Sequence, residues 1–316
     1  MTWPACLSLA FSTLFAVALE SAPIQLLNLS VQQLRRLTAD ENIKVNTTAT
    51  KADLIRALVD NLSRPQLEDL AADYLYAGRT SVAWLHFDGG ALDPGQLRRA
   101  IVAACDGLDP YAADLRPPLV PGEPKLLHAR EWRDDKVVLT FGLRGRERLI
   151  FEGWAVREVS EDIALQAVVR LGDAVFEVRS SHLHVQMLSA SFASRLTHEL
   201  GRSLSALPID QAAFDALSGT VGARLDGYTG LDPSPSPYGT RSVTKKAAVV
   251  DLAAEPAFQQ DYGGLDAVKG EIEFDGPDGE VVKALVAMRT GSVYFRSMAS
   301  EGAIDTVYAA LRAVWF

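Results

Sequence analysis

Cys6 and Cys105 are the only cysteines in 316 residues, which excludes a disulfide framework and a four-cysteine zinc site. Positive charge is also short. Against 40 Asp and Glu stand 31 Lys and Arg, a formal net charge of −9, so a generally basic nucleic-acid coat is excluded and any polyanion contact must come from a local patch. Neither a GxxxxGK[ST] run nor a GxGxxG between strand and helix is present, and no GxSxG elbow marks a serine hydrolase. His182-Leu183-His184 would place two imidazoles on one face of a strand. No HExxH and no carboxylate at ligand spacing accompany them, so they read as polar surface at a strand-to-helix junction, with no metal expected. Cys105, closing an apolar helical run, reads as a small packing residue. No cofactor motif and no paired catalytic groups stand out, and the chain is expected to act without catalysis.

Long apolar runs are equally scarce. Only Trp3 to Leu19 carries no charge, and its 17 residues fall short of the roughly 20 that span a bilayer. Leu7, Phe11, Leu14, Phe15 and Ala18 fall near one helical face, which predicts a buried helix within an apolar segment 1–26. The alternative is a signal peptide at residues 1–18, since Ala16-Val17-Ala18 offers small residues before a cleavage point, although no Lys or Arg precedes the run. The expectation is a cytoplasmic protein with no membrane contact.

What is present is enough apolar material for a core: 48% of residues are hydrophobic and 22% charged, in a length suited to about two domains. From Asn28 to Leu62, Ser30 can cap a short helix with Val31, Leu34 and Leu37 on its apolar stripe. Asp40, Glu41 and Asn42 break that stripe. Ile43 and Val45 alternate in an extended connector, and Thr50 can cap a second helix carrying Leu54, Ile55, Leu58 and Leu62. Two short helices bury little, so Ile43 and Val45 are expected to fill the gap between them. A third helix is expected from Pro65 through Leu75, with Gly78 ending it and the module spanning 27–78.

Leu29-Ser30-Val31, Leu34, Leu37, Ile43, Lys51, Leu54-Ile55 and Leu58 resemble the helix–extended loop–helix pattern of SAP-type modules and of the N-terminal module of transcription termination factor Rho. The resemblance covers about 35 residues. It implies DNA or RNA binding through the end of the first helix, the loop and the start of the second helix, hence through Arg35, Arg36, Lys44, Lys51 and Arg56. The local charge is small, five basic residues against four acidic ones between Asn28 and Leu62, so such binding would be weak and salt-sensitive.

Beyond residue 79 the pattern predicts an α+β body, with antiparallel strands and helices. Ser81–Asp88 reads as a buried strand, Asp93-Pro94 opens a helix to Ala104, and four prolines between Leu115 and Pro124 mark a loop. Strands are expected at 136–141, 148–154, 163–170 and 174–179, then a helix over 185–200. Residues 286–297 resemble 167–180, with Arg289, Gly291 and Phe295 matching Arg170, Gly172 and Phe176, each followed by a helix. This is consistent with a duplicated sheet-plus-helix unit, one at 79–200 and one at 201–316 around a linker at 232–239, or with convergent drift. Arg144, Arg146 and Arg148 fall on an expected hairpin tip, and Lys125–Arg148 holds seven basic and four acidic residues. The tip offers phosphates a second patch, or it is edge charge that prevents sheet association. The sequence thus points first to a non-enzymatic nucleic-acid-associated protein, then to a protein-interaction scaffold, and last to an enzyme of unrecognised type.

Overall fold

A computed structural model describes residues 31–63, 66–67, 70, 80–112, 115, 117–133, 135–145, 147–152, 155–160, 162–231, 242–246, 251–255, 258, 265–277, 279–297 and 299–316. For 147–152, 155–160, 242–246, His182 and Asp266 it gives the backbone alone. The apolar segment 1–26, Arg146 and the linker at 232–239 lie outside the described residues, as does most of the third helix, of which Gln66, Leu67 and Leu70 are described as helical. The chain divides into two units, one within residues 1–78 plus 298–304, the other comprising 79–297 and 305–316.

The first unit is helical. Helix α1 (Val31–Asp40) buries Leu34, Leu37 and Thr38. Asn42 stops it by taking the left-handed conformation at φ 55°, while Ile43 N–H reaches back to the Thr38 carbonyl at 2.7 Å. That six-to-one closure turns Ile43 onto the apolar side, as helix C-caps commonly do. Helix α2 (Lys51–Asn61) starts at a capping box. The Thr50 N–H and hydroxyl donate to the Asp53 carboxylate at 2.9 and 2.7 Å, and Asp53 N–H donates back to the Thr50 hydroxyl at 3.3 Å. Leu34, Leu37, Leu54, Ile55, Leu58 and Leu67 form the core, with Ile43 and Val45 packed against it from the connector.

The second unit is built on one antiparallel sheet. In chain order its elements are β1 (Ser81–Phe87), α3 (Pro94–Ala104), β2 (Lys125–Trp132), β3 (Lys136–Leu143), β4 (Glu147–Glu152), β5 (Ala155–Ser160), β6 (Ile163–Arg170) and β7 (Val175–Arg179). Then come α4 (His182–Leu188), a π-turn at Ser189–Ala193, α5 (Ser194–Leu200), β8 (Leu204–Ala206), α6 (Gln211–Thr220), β9 (Arg224–Leu231), β10 (Ser242–Lys246), β11 (Asp266–Asp275), β12 (Val281–Ala287), β13 (Ser292–Phe295) and α7 (Glu301–Trp315). The strand order is β10-β9-β11-β12-β13-β1-β7-β6-β3-β2, and β8 pairs with the end of β1. Strands from 79–200 and from 201–316 therefore share one sheet, joined where β1 pairs β13 at Val82–Val293 and β7 at Val82–Arg179.

Alternation along β1 sorts the two faces. Ala83, Leu85 and Phe87 join the apolar core that α3, α4 and α5 cover with Leu97, Ile101, Leu188, Phe192 and Leu196. Val82 and Trp84 point the other way, where Trp84 meets Tyr308 and Trp315 of α7 at ring distances of 6.4 and 5.7 Å. Helix α3 begins as Asp93-Pro94 predicts, with Gln96 N–H donating to the Asp93 carboxylate at 2.7 Å. Helix α6 packs so close to β11 that a Cβ on Gly270 would lie 2.4 Å from the Phe214 ring.

Three expectations are corrected. Residues 144–148 are not a hairpin tip: β3 pairs with β2 and β6, while β4 pairs with β5 in a separate two-stranded sheet closing at Glu152–Ala155. Run 148–154 is thus one arm of a hairpin whose second arm, β5, the alternation did not separate from its surroundings. His182, Leu183 and His184 lie in the first turn of α4, where positions two apart do not share a face. The Arg-Gly-Phe match also slips. Both hairpins close around four residues, at Arg170–Val175 and Ala287–Ser292, so Gly291 (φ 59°) corresponds to Ala174 (φ 53°) and not to Gly172.

Candidate functional site

The five module cations are spread over both helices and the connector, and one contact ties Arg35 to the residues just ahead of the second helix. Arg35 reaches out from α1, and its guanidinium donates to the Ala49 carbonyl at 3.4 Å, two residues ahead of Lys51 at the start of α2. Arg36 pairs with Asp40 one turn later at 3.6 Å, both side chains well exposed. Lys44 is exposed on the connector, and Arg56 is half-buried on α2. Asp53 is the acid at this end. Hydrogen bonds from the Thr50 hydroxyl and backbone, joined by the charge of Arg56, hold its carboxyl below the ordinary range, so it is ionised and offsets one cation. Arg35, Lys51 and Arg56 share this end of the module with Asp53.

The body residues singled out from sequence fare differently. Arg144 is exposed, and its residue bridges Pro121 in parallel just before the β4–β5 hairpin. Arg148 pairs its backbone with Val159 inside that hairpin; its side chain lies outside the described residues, as does all of Arg146. Nothing described gathers the three arginines into a patch. His184 accepts or donates one hydrogen bond, Nδ1 to Ser180 Oγ at 2.6 Å, and burial pushes its imidazole below the usual histidine range. Among the described residues no group of three or more His, Cys, Asp or Glu is arranged to hold a metal, and no helix is long and apolar enough to cross a membrane.

Sequence reasoning missed a buried ionic network on the α7 face of the sheet. Glu177 is wholly buried in β7. One of its oxygens accepts from Arg170 Nε at 2.8 Å and Trp84 Nε1 at 2.9 Å, the other from Arg179 Nε at 2.7 Å. Burial alone would raise this carboxyl, but the Arg170 and Arg179 charges with the Arg170 and Trp84 hydrogen bonds outweigh it and bring it down to about 2. Arg170 continues to Asp305 of α7 at 2.7 Å, where Lys136 Nζ also donates at 2.7 Å. Its guanidinium lies over the Tyr308 ring at 4.1 Å, and Tyr308 and Arg312 both donate to Asp173. Burial works against the Arg170 charge; Glu177 and Asp305 more than offset it and raise its pKa. The outward parity of Arg170, Glu177 and Arg179 along alternating strands was readable, but that the face is covered by α7 was not. With every carboxylate oxygen engaged and the cluster roofed by α7, the arrangement pins the last helix and offers a ligand no open coordination. No protein-family model and no curated protein matches the chain.

Proposed function

We propose that the protein associates with nucleic acid, acting by binding and not by catalysis, through the helical module's Arg35, Arg36, Lys44, Lys51 and Arg56. The observation that carries this reading is the Arg35–Ala49 hydrogen bond, which ties a guanidinium to the segment that leads into Lys51 and the start of α2. Two cations next to a helix N-terminus suit a phosphate, which takes up backbone N–H groups as well as charge. Asp53 and the Arg36–Asp40 pair limit the surplus, so the contact is weak and loses strength with salt. Phosphate contact of this kind carries little base information.

The test is fluorescence-anisotropy titration of the full chain, and of a chain lacking 27–78, against short DNA and RNA at low and moderate salt. Binding by the full chain that is lost on deletion is the expected result. Equal binding by both chains, or none by the full chain at low salt, overturns the reading.

A further inference from the structure

The helix running through α4, the π-turn and α5 carries a second feature on its exposed flank. Two cavities, of about 430 and 600 Å³, lie along it in succession. Ser191, Phe192 and Arg195 line the first, and Leu183, His184 and Met187 line the second. The opposite wall is one continuous segment, with Pro117, Pro118 and Val120 at the first cavity and Pro121 and Gly122 at the second. From Leu183 to Arg195 the trough measures about 18 Å at the usual helical rise. Both volumes fall within the range of small-molecule sites, about 300–1,000 Å³.

Its surface is apolar and uncovered. Leu183 is 62% exposed, Leu108 58%, Val120 44% and Ile163 38%, and all four border these cavities. Apolar side chains gathered along one channel mark a binding surface more often than scattered ones do. The π-turn belongs to the trough as well. Ser191 Oγ donates to the Met187 carbonyl at 2.7 Å, and the widened turn sets Phe192 into the floor against Phe141 at 5.0 Å between ring centroids.

The chemistry of the walls chooses the occupant. Prolines at 117, 118, 121 and 124 have no N–H to give, and a helix flank has its backbone groups engaged already. An extended peptide laid here would find few backbone N–H donors on that wall for its carbonyls, whereas a hydrocarbon chain needs none. Asp106, Glu123, Lys125 and Arg195 are the charged residues lining the first cavity, and Arg144 is the one lining the second. Arg195 holds Asp106 at 2.5 Å, but Asp106 is 81% exposed, and an exposed pair of this kind contributes little and exchanges readily. A ligand carboxylate can take the same guanidinium in a two-pronged contact. Lys125, paired with Glu123, stands at the same cavity, and Arg144 at the far one.

We propose that the trough between the α4–α5 helix and residues 117–124 binds a linear hydrocarbon chain ending in an anionic group, with the chain along Leu183–Phe192 and the head on Arg195.

Cys105 provides the readout, because its half-buried thiol lines the first cavity. In the full chain carrying Cys6→Ser, Cys105 is the sole thiol, and its alkylation rate by a small maleimide is followed with added monomeric dodecanoate, dodecanol, butanoate, or vesicles of anionic phospholipid. The expected result is at least tenfold protection by dodecanoate, weaker protection by dodecanol and none by butanoate. Arg195→Gln is expected to raise the half-protecting dodecanoate concentration about tenfold while leaving dodecanol unchanged. Leu183→Asp, at an exposed position whose change spares the core, is expected to weaken both. Absence of protection by dodecanoate, or protection indifferent to Arg195→Gln and Leu183→Asp alike, overturns the proposal. So does protection by vesicles alone, which would reassign the surface to a membrane.

Discussion

Arg36 and Lys44 of the helical module and Arg170 and Arg179 of the sheet body look alike in sequence and lie in opposite surroundings. In the module, Arg36 and Lys44 stand in water and the nearest acids, Asp40 and Asp53, are exposed too. In the body, Arg170 and Arg179 are buried and spend their donors on Glu177, which is itself sealed from solvent. Exposed pairs contribute about 0–1 kcal/mol and can be exchanged for a ligand. A buried triad cannot be opened without stranding a charge. The difference teaches that positive charge becomes available for binding only where burial has not already committed it.

The largest expected effect tests the committed side. Glu177→Gln removes the buried carboxylate shared by two buried guanidiniums and should destabilise the body by about 3–5 kcal/mol, read as a lower urea midpoint. An effect no larger than that of Lys51→Glu would break the comparison. Acid should do the same more gradually. The folded pKa of Glu177, about 2, lies below the ordinary 4.5, so its stabilisation is complete above pH 4.5 and is lost as pH falls toward 2, about 3 kcal/mol in total. Unfolding curves at pH 5 and pH 2.5 measure this, and the Glu177→Gln chain should lose less across that window. Gly270→Ala should cost about 1–3 kcal/mol, because the new methyl meets Phe214, and it should leave the module untouched. Smallest, Thr50→Ala removes the hydroxyl arm of the α2 capping box, leaving the backbone N–H bond to Asp53, and should cost about 1 kcal/mol, confined to faster amide exchange in α2.

Much of the fold was legible because it rests on local rules. Thr50 with Asp53, Asp93 with Pro94, and the apolar spacing of Leu34, Leu37, Leu54 and Leu58 mark their helices without tertiary help. Antiparallel pairing was likewise readable from short turns, as at Leu171–Ala174 between β6 and β7. What failed depended on long-range partners. Nothing local says that β3 skips the Arg144–Arg148 stretch to pair with β6, so a connector was taken for a hairpin tip. The Gly172–Gly291 match failed because a left-handed loop position can hold alanine, here Ala174. Of the site, the module cations were legible as residues, but the Arg35–Ala49 contact that joins α1 to the start of α2 was not. The face on which Glu177 lies was legible, but not its burial, which depends on α7, more than a hundred residues away along the chain.

The proposed nucleic-acid binding rests on the module's cations, and its dependence on salt is the direct test. The affinity of the full chain is measured across a series of salt concentrations, beside Lys51→Glu and Arg144→Glu. Lys51→Glu is expected to weaken binding uniformly across sequences and to flatten the logarithmic salt slope by about one, while Arg144→Glu changes the slope by less. A slope unchanged by Lys51→Glu and flattened by Arg144→Glu would contradict it.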